Sequence, residues 1–194
     1  MSIFRNKEKV SRKNKEVVNS VKALIYSKKD MKIFGITSCM LLEGKTTIAK
    51  KIASSITEDN KKVLYLDLDI RNAKGNQKGI AEVTARSVEL QECIVHEEHF
   101  EYLAGGKCES ITGLLASFEF VDIMAQLKQI YDYIIVDTPQ LYEFMDAVQI
   151  ADVCDGMIMV LEPYVVPYKM AVDCKRKLEN ASTPIIGVVM NKAD

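Results

Sequence analysis

Apolar residues recur along the chain in two rhythms. Ile33-Phe34-Gly35-Ile36, Val63-Leu64-Tyr65-Leu66, Tyr133-Ile134-Ile135-Val136, Met157-Ile158-Met159-Val160-Leu161 and Ile185-Ile186-Gly187-Val188-Val189-Met190 are unbroken runs without polar alternation. Runs of this length predict strands buried on both faces. Elsewhere apolar residues fall at helical spacing: Val17, Val18, Val21, Leu24 and Ile25; then Ile48, Ala49, Ile52, Ala53 and Ile56; then Phe120, Met124, Leu127 and Tyr131. Pro167 is placed to open another helix as its first residue, with Ala171, Cys174 and Leu178 facing inward. Phe100-Glu101-Tyr102-Leu103, closed by Gly105-Gly106, reads as a short strand, while residues 72–98 are polar and too weakly patterned to assign.

Buried strands alternating with amphipathic helices predict an α/β fold, a doubly wound, mainly parallel sheet flanked by helices. Ligands of such sheets sit beyond the carboxyl ends of the strands. Thr37-Ser38, Asp67, Asp137 and Asn191 all lie at or just past such ends. The pattern therefore sets out one nucleotide-binding domain over residues 16–194, preceded by a basic arm over residues 1–15. The arm carries Arg5, Lys7, Lys9, Arg12, Lys13 and Lys15 against Glu8. The plain expectation is a solvated, partly disordered arm; the sharper one is an electrostatic contact with a membrane surface or a membrane partner's tail.

Composition narrows the classes. A formal net charge of -1 gives no overall case for nucleic acid. No apolar run approaches the roughly 20 residues of a membrane span, and the first residues form no apolar signal core. A cytoplasmic protein is expected. The five cysteines make no C-x-x-C pair and are odd in number, which fits a reducing compartment, with Cys154 and Cys174 as small core residues. Cys93, His96 and His99 have a metal-like spacing, but no second cluster completes a four-ligand site.

Three constellations carry chemistry. The first, Ser38-Cys39-Met40-Leu41-Leu42-Glu43-Gly44-Lys45-Thr46-Thr47, joins a strand to a helix. A phosphate needs backbone N–H groups, a positive helix end and a mobile cation. Gly44 and the helix start supply the first two, Lys45 would reach the β/γ-phosphates, and the Thr46 hydroxyl would ligate magnesium. The P-loop pattern is incomplete, because Cys39 stands where the first glycine belongs and Leu42 replaces a common loop glycine. If residue 42 needs a positive φ, leucine there costs roughly 1–2 kcal/mol. The second constellation is Asp67-Leu68-Asp69-Ile70-Arg71, carboxylates two residues apart at a strand tip, which repel unless a cation or proton is shared. The third is Asp137-Thr138-Pro139 at the end of a hydrophobic strand, a typical magnesium-holding position.

Together these residues resemble the bacterial tyrosine kinases that regulate capsule and exopolysaccharide synthesis, a branch of the MinD/ParA-like P-loop ATPases. That family combines a Walker A loop, a Walker A′ of three apolar residues plus D-x-D-x-R, and a Walker B of apolar residues plus D-[ST]-P. Residues 38–47, 64–71 and 134–139 are similar to them in that order, and the resemblance spans residues 16–194. Leu103-Ala104-Gly105-Gly106, Leu114-Leu115-Ala116-Ser117 and Asn191-Lys192 add to it.

The resemblance implies ATP and Mg2+ as cofactors and protein-tyrosine phosphorylation as the activity. It implies Lys45, Asp67 and Asp69 as catalytic residues, with Asp67 the base. Nucleotide contacts would come from Glu43, Gly44, Lys45, Thr46, Thr47 and Asn191, and the metal would be held by Thr46, Asp69 and Asp137. It further implies a membrane-anchored polysaccharide chain-length or activator protein as partner, recruitment to the inner face of the membrane, and a homo-oligomer. The chain departs from the family at Leu41 and Leu42, which replace a proline and a glycine. Glu16 to Lys22 carries only part of an E-x-x-R-x-x-R oligomerisation motif. The family's C-terminal tyrosine cluster is missing: Tyr164 and Tyr168 are the nearest candidates, with Tyr168 equally suited to helix packing. A positioning ATPase and a non-catalytic pseudokinase scaffold remain as alternatives. Asn191-Lys192-Ala193-Asp194 also matches a guanine-reading N-K-x-D, without the matching D-x-x-G at Asp137.

Overall fold

A computed structural model describes residues 2–72 and 76–192, with side chains from residue 15 onward. Every unbroken apolar run is a strand: β1 (Ile33–Ser38), β2 (Val63–Asp67), β5 (Tyr133–Asp137), β6 (Gly156–Leu161) and β7 (Ile185–Met190). Two short strands join them, β3 (Ile94–His96) and β4 (Glu101–Leu103). They form one seven-stranded sheet in the order β3-β4-β2-β5-β1-β6-β7. All neighbours run parallel except the edge strand β3, which is antiparallel to β4.

The period-2 geometry of a strand sorts its side chains between two cores. In β2, Val63 and Tyr65 face the layer of α1 (Ser2–Ser27) and α2 (Lys45–Thr57), while Leu64 and Leu66 face the other. On the first face Val18, Val21 and Ile25 of α1 pack with Ile48, Ile52 and Ile56 of α2. On the second face lie α6 (Phe118–Ile130), α7 (Asp146–Ala151) and α8 (Tyr168–Glu179), with Phe120, Leu127, Ala147, Ile150, Cys174 and Leu178 buried. The short helices α3 (Ile80–Thr84), α4 (Leu90–Cys93) and α5 (Ile111–Leu115) complete that layer.

Three expectations are corrected. The first helix begins at Ser2, so residues 2–15 continue α1 instead of forming a disordered arm. Residues 72–98, unassigned from the sequence, hold α3, α4 and β3, each of three to five residues and too short to show a period. Pro167 is the cap of α8, whose first helical residue is Tyr168, and the Tyr168 ring is exposed instead of packed.

Candidate functional site

β1 ends at Ser38 and α2 begins at Lys45, so residues 39–44 form a loop over the carboxyl edge of the sheet. Gly44 closes it with φ 90°, and no side chain caps the helix. The first-turn N–H groups are thus left for a ligand. A Cβ on Gly44 would lie 2.2 Å from the Asn191 amide nitrogen, so glycine is required by space as well as by φ. Leu42 does adopt a positive φ, 65°, and its side chain is 86% exposed. It points to solvent and plugs nothing.

The Glu43 side chain is engaged within the protein. It is buried, and its carboxylate accepts hydrogen bonds from the N–H of Met40 (2.6 Å) and of Glu162 (2.9 Å). It fastens the loop to the exit of β6. Asn191 is similarly committed: its amide donates to the Glu43 carbonyl at 2.7 Å. Lys192 donates to the Leu42 carbonyl at 2.7 Å and pairs with Glu162 at 2.5 Å. The end of β7 therefore acts as a strap on the loop.

Lys45 lies buried and donates to Asp69 Oδ2 at 2.7 Å. The other Asp69 oxygen accepts from the Asn72 amide at 2.9 Å, and the Asp69 N–H donates to Asp67 Oδ1 at 3.1 Å. Asp67 and Asp137 are register partners across β2 and β5. Lys45, Asp67, Asp69 and Asp137 thus meet at the carboxyl ends of neighbouring strands, as the spacing predicted. Thr46 and Thr47 stand exposed on the first turn of α2.

Burial is the main cause raising both carboxyl pKa values. Asp137 is pushed up to about 6, with the Lys45 ammonium and the Thr46 hydroxyl pulling the other way. Asp67 is raised with the Asp69 carboxylate adding to burial, against the Asp69 N–H, Lys50 and Lys45. Asp137 Oδ2 accepts a hydrogen bond from the buried Tyr65 hydroxyl at 2.9 Å, while Oδ1, also buried, has no hydrogen-bond partner. A buried carboxylate oxygen without a partner, near a second acid, is one ligand that a hard divalent cation could use. Among the described residues no group of three or more His, Cys, Asp or Glu forms a cage for a metal ion, at Cys93, His96 and His99 or elsewhere. Mg2+ suits such a site because it keeps several waters and binds through one or two carboxylates plus substrate phosphates.

Sequence reasoning missed three participants. Tyr65 sits among apolar neighbours, yet it is two residues before Asp67 and so shares its face of the sheet; that offset was the available signal. Asp146 pairs with Arg71 at 2.5 Å, and the guanidinium lies 4.6 Å from the Phe144 ring centroid. Nothing local in the sequence links positions 75 residues apart. Glu162, which takes part in the loop strap, follows a strand without any motif of its own.

Fold and site together define a P-loop nucleotide-binding protein of the MinD/ParA-like ATPase class. The family model "ATPase MipZ" matches residues 42–173. The chain is 31% identical to tyrosine-protein kinase CpsD of Streptococcus pneumoniae, with all of this chain and 91% of that protein aligned. The kinase domain of VpsO superposes with a TM-score of 0.87 at 25% identity, covering 98% of this chain and 99% of that one. The kinase domain of Escherichia coli tyrosine kinase ETK gives 0.84 at 24% identity, covering 91% and 76%. The chain belongs to the CpsD-type family of bacterial tyrosine kinases, within the MinD/ParA-like ATPases. Among the described residues no helix is long and apolar enough to cross a membrane.

Proposed function

We propose that this protein transfers the γ-phosphoryl group of ATP to tyrosine hydroxyls and regulates capsule or exopolysaccharide synthesis. The observation that carries the reading is the meeting of Lys45, Asp67, Asp69 and the unpartnered Asp137 Oδ1 beneath the uncapped start of α2. Its family membership supports the activity and the setting.

The residues divide the work. Amides of the loop and the first turn of α2 receive the phosphates. Lys45 exchanges Asp69 for phosphate oxygens and neutralises their charge. Thr46 and Asp137 Oδ1, with Asp69, would hold Mg2+, which would supply charge neutralisation on the transferred group. Asp67 accepts the tyrosine hydroxyl proton, and burial, which raises its pKa, makes it a better acceptor. Glu43 and Asn191 keep the loop in place. A membrane-anchored polysaccharide chain-length or activator protein is the proposed partner, bringing the protein to the inner face of the membrane as a homo-oligomer.

The test is transfer of label from γ-labelled ATP to a tyrosine polymer with Mg2+, for the wild type and for Lys45→Ala. Tyrosine label lost in the variant supports the reading. The MipZ match favours a second reading, an ATPase that cycles without transfer. Phosphate release with no tyrosine label would establish that reading instead.

A further inference from the structure

The strand that brings Asp67 into the site carries one polar side chain inside an otherwise apolar run. In Val63-Leu64-Tyr65-Leu66 the flanking residues are aliphatic, and the motif itself asks only for apolar residues. Tyr65 is fully buried. Its ring is well placed without a hydroxyl: it stacks on Tyr102 with centroids 5.8 Å apart and an 18° interplanar angle, and it meets Phe100 at 5.5 Å. Lys50 lies 5.4 Å above it. A phenylalanine would make all of these contacts. The hydroxyl adds one thing, a hydrogen bond to Asp137 Oδ2 at 2.9 Å.

That bond changes what Asp137 can do. The carboxylate is buried, so free rotation would let either oxygen face the nucleotide or turn away. With Oδ2 held by the phenol, Oδ1 is left without a partner. Tyr65 is in register with Ile135 and Asp67 with Asp137, so the phenol spans two residue steps along the sheet to reach its acceptor. Side chains that hydrogen-bond a ligating group orient it and tune metal affinity, commonly 10–100-fold.

We propose that Tyr65 is a positioning residue for the metal site: its hydroxyl fixes Asp137 so that Oδ1 is presented to the divalent cation accompanying the nucleotide. The inference rests on the nucleotide-binding reading above, and its test separates the two.

The probe is Mn2+ with ADP, measured by calorimetry and by electron paramagnetic resonance of the bound ion. Tyr65→Phe is expected to weaken Mn2+-dependent ADP binding 10–100-fold and to alter the bound-Mn2+ spectrum, while ADP affinity without metal stays the same. Replacing Tyr65 with 4-aminophenylalanine, which keeps a para N–H donor, is expected to restore metal-dependent affinity. A structural role alone would lower thermal stability and leave the metal-dependent part untouched. If Tyr65→Phe fails to fold, Tyr65→Leu, matching Leu64 and Leu66, carries the same expectation. A folded variant with wild-type Mn2+·ADP affinity, or an equal loss with and without metal, overturns the inference alone. A wild type that binds no Mn2+·ADP overturns both it and the proposed function.

Discussion

Asp137 and Leu42 show how single residues at the site trade stability for chemistry. The Asp137 carboxyl ionises near 3.8 in a free chain and near 6 when buried. Between those values the folded state holds a proton that the unfolded state has lost, so stability falls as pH rises through that window. The cost is on the order of 2–3 kcal/mol and persists at neutral pH. Asp137→Asn removes the charge and keeps an acceptor for Tyr65. Urea denaturation should find the variant gaining about that much relative to the wild type between pH 4 and pH 7, while Mg2+-dependent nucleotide binding is lost. A constant difference across that range would show that Asp137 is not an uncompensated buried acid. Leu42 has its cost in the backbone: a positive φ on an exposed side chain that buries nothing in return. Leu42→Gly should recover about 1–2 kcal/mol of strain, less the extra entropy of an unfolded glycine, for a net gain of roughly 0.5–1 kcal/mol. Equilibrium denaturation checks it, and a clear loss would refute the strain.

At the scale of elements, the loop between β1 and α2 is held by long-range ties: Glu43 to the exit of β6 and Asn191 from the end of β7. Glu43→Ala strands the N–H groups of Met40 and Glu162 and should cost about 2–4 kcal/mol. Glu43→Gln, with one acceptor oxygen, should fall between; thermal unfolding ranks the three proteins, and equal values for Ala and Gln would discount the bonds. These ties explain what the sequence could and could not disclose. The strands were legible from their unbroken apolar runs, although the edge strand β7 is not buried on both faces as expected, with Val188 and Met190 exposed; Asp67 and Asp137 were legible because strand ends define one edge, and Lys45 from its place at the helix start. The anchoring role of Glu43 was not legible, because one of its two partners, the Glu162 N–H, lies 119 residues away. Elements α3, α4 and β3 were invisible because they are held by tertiary packing instead of their own period. The turn between β6 and α8 offers another test. Its Tyr164 is exposed, as are Tyr168 at the start of α8 and Tyr142 after β5, whereas Tyr65 and Tyr131 are buried and the Tyr26 hydroxyl bonds Asp59. If the protein phosphorylates itself within the described residues, mass spectrometry should place the phosphate on Tyr142, Tyr164 or Tyr168; phosphate on Tyr65 or Tyr131 would require a fold that opens.

For the whole molecule, the site is the place where the sheet is least self-sufficient. Along most of the sheet, neighbouring strands and two helical layers satisfy one another, but its central carboxyl edge gathers the buried acids Asp69 and Asp137 near the buried Lys45 ammonium. A ligand bringing phosphates and a divalent cation adds charge of the sign each group lacks, so binding and folding are linked. At a ligand concentration about 100 times the dissociation constant, the linkage is worth about 2.7 kcal/mol. For a chain of 194 residues, that is an upward shift in Tm of about 5–10 °C. Mg2+·ATP should produce it and ATP with a chelator should produce much less, because the Asp137 oxygen then stays unpaired. Lys45→Met should abolish the shift and also lower the starting Tm, since Asp69 would be buried with only the Asn72 amide and no cation. A variant that lost the shift while keeping the wild-type starting Tm would mean that the Lys45–Asp69 pair contributes nothing to the ligand-free fold. A full shift in Lys45→Met would place the nucleotide somewhere other than this edge.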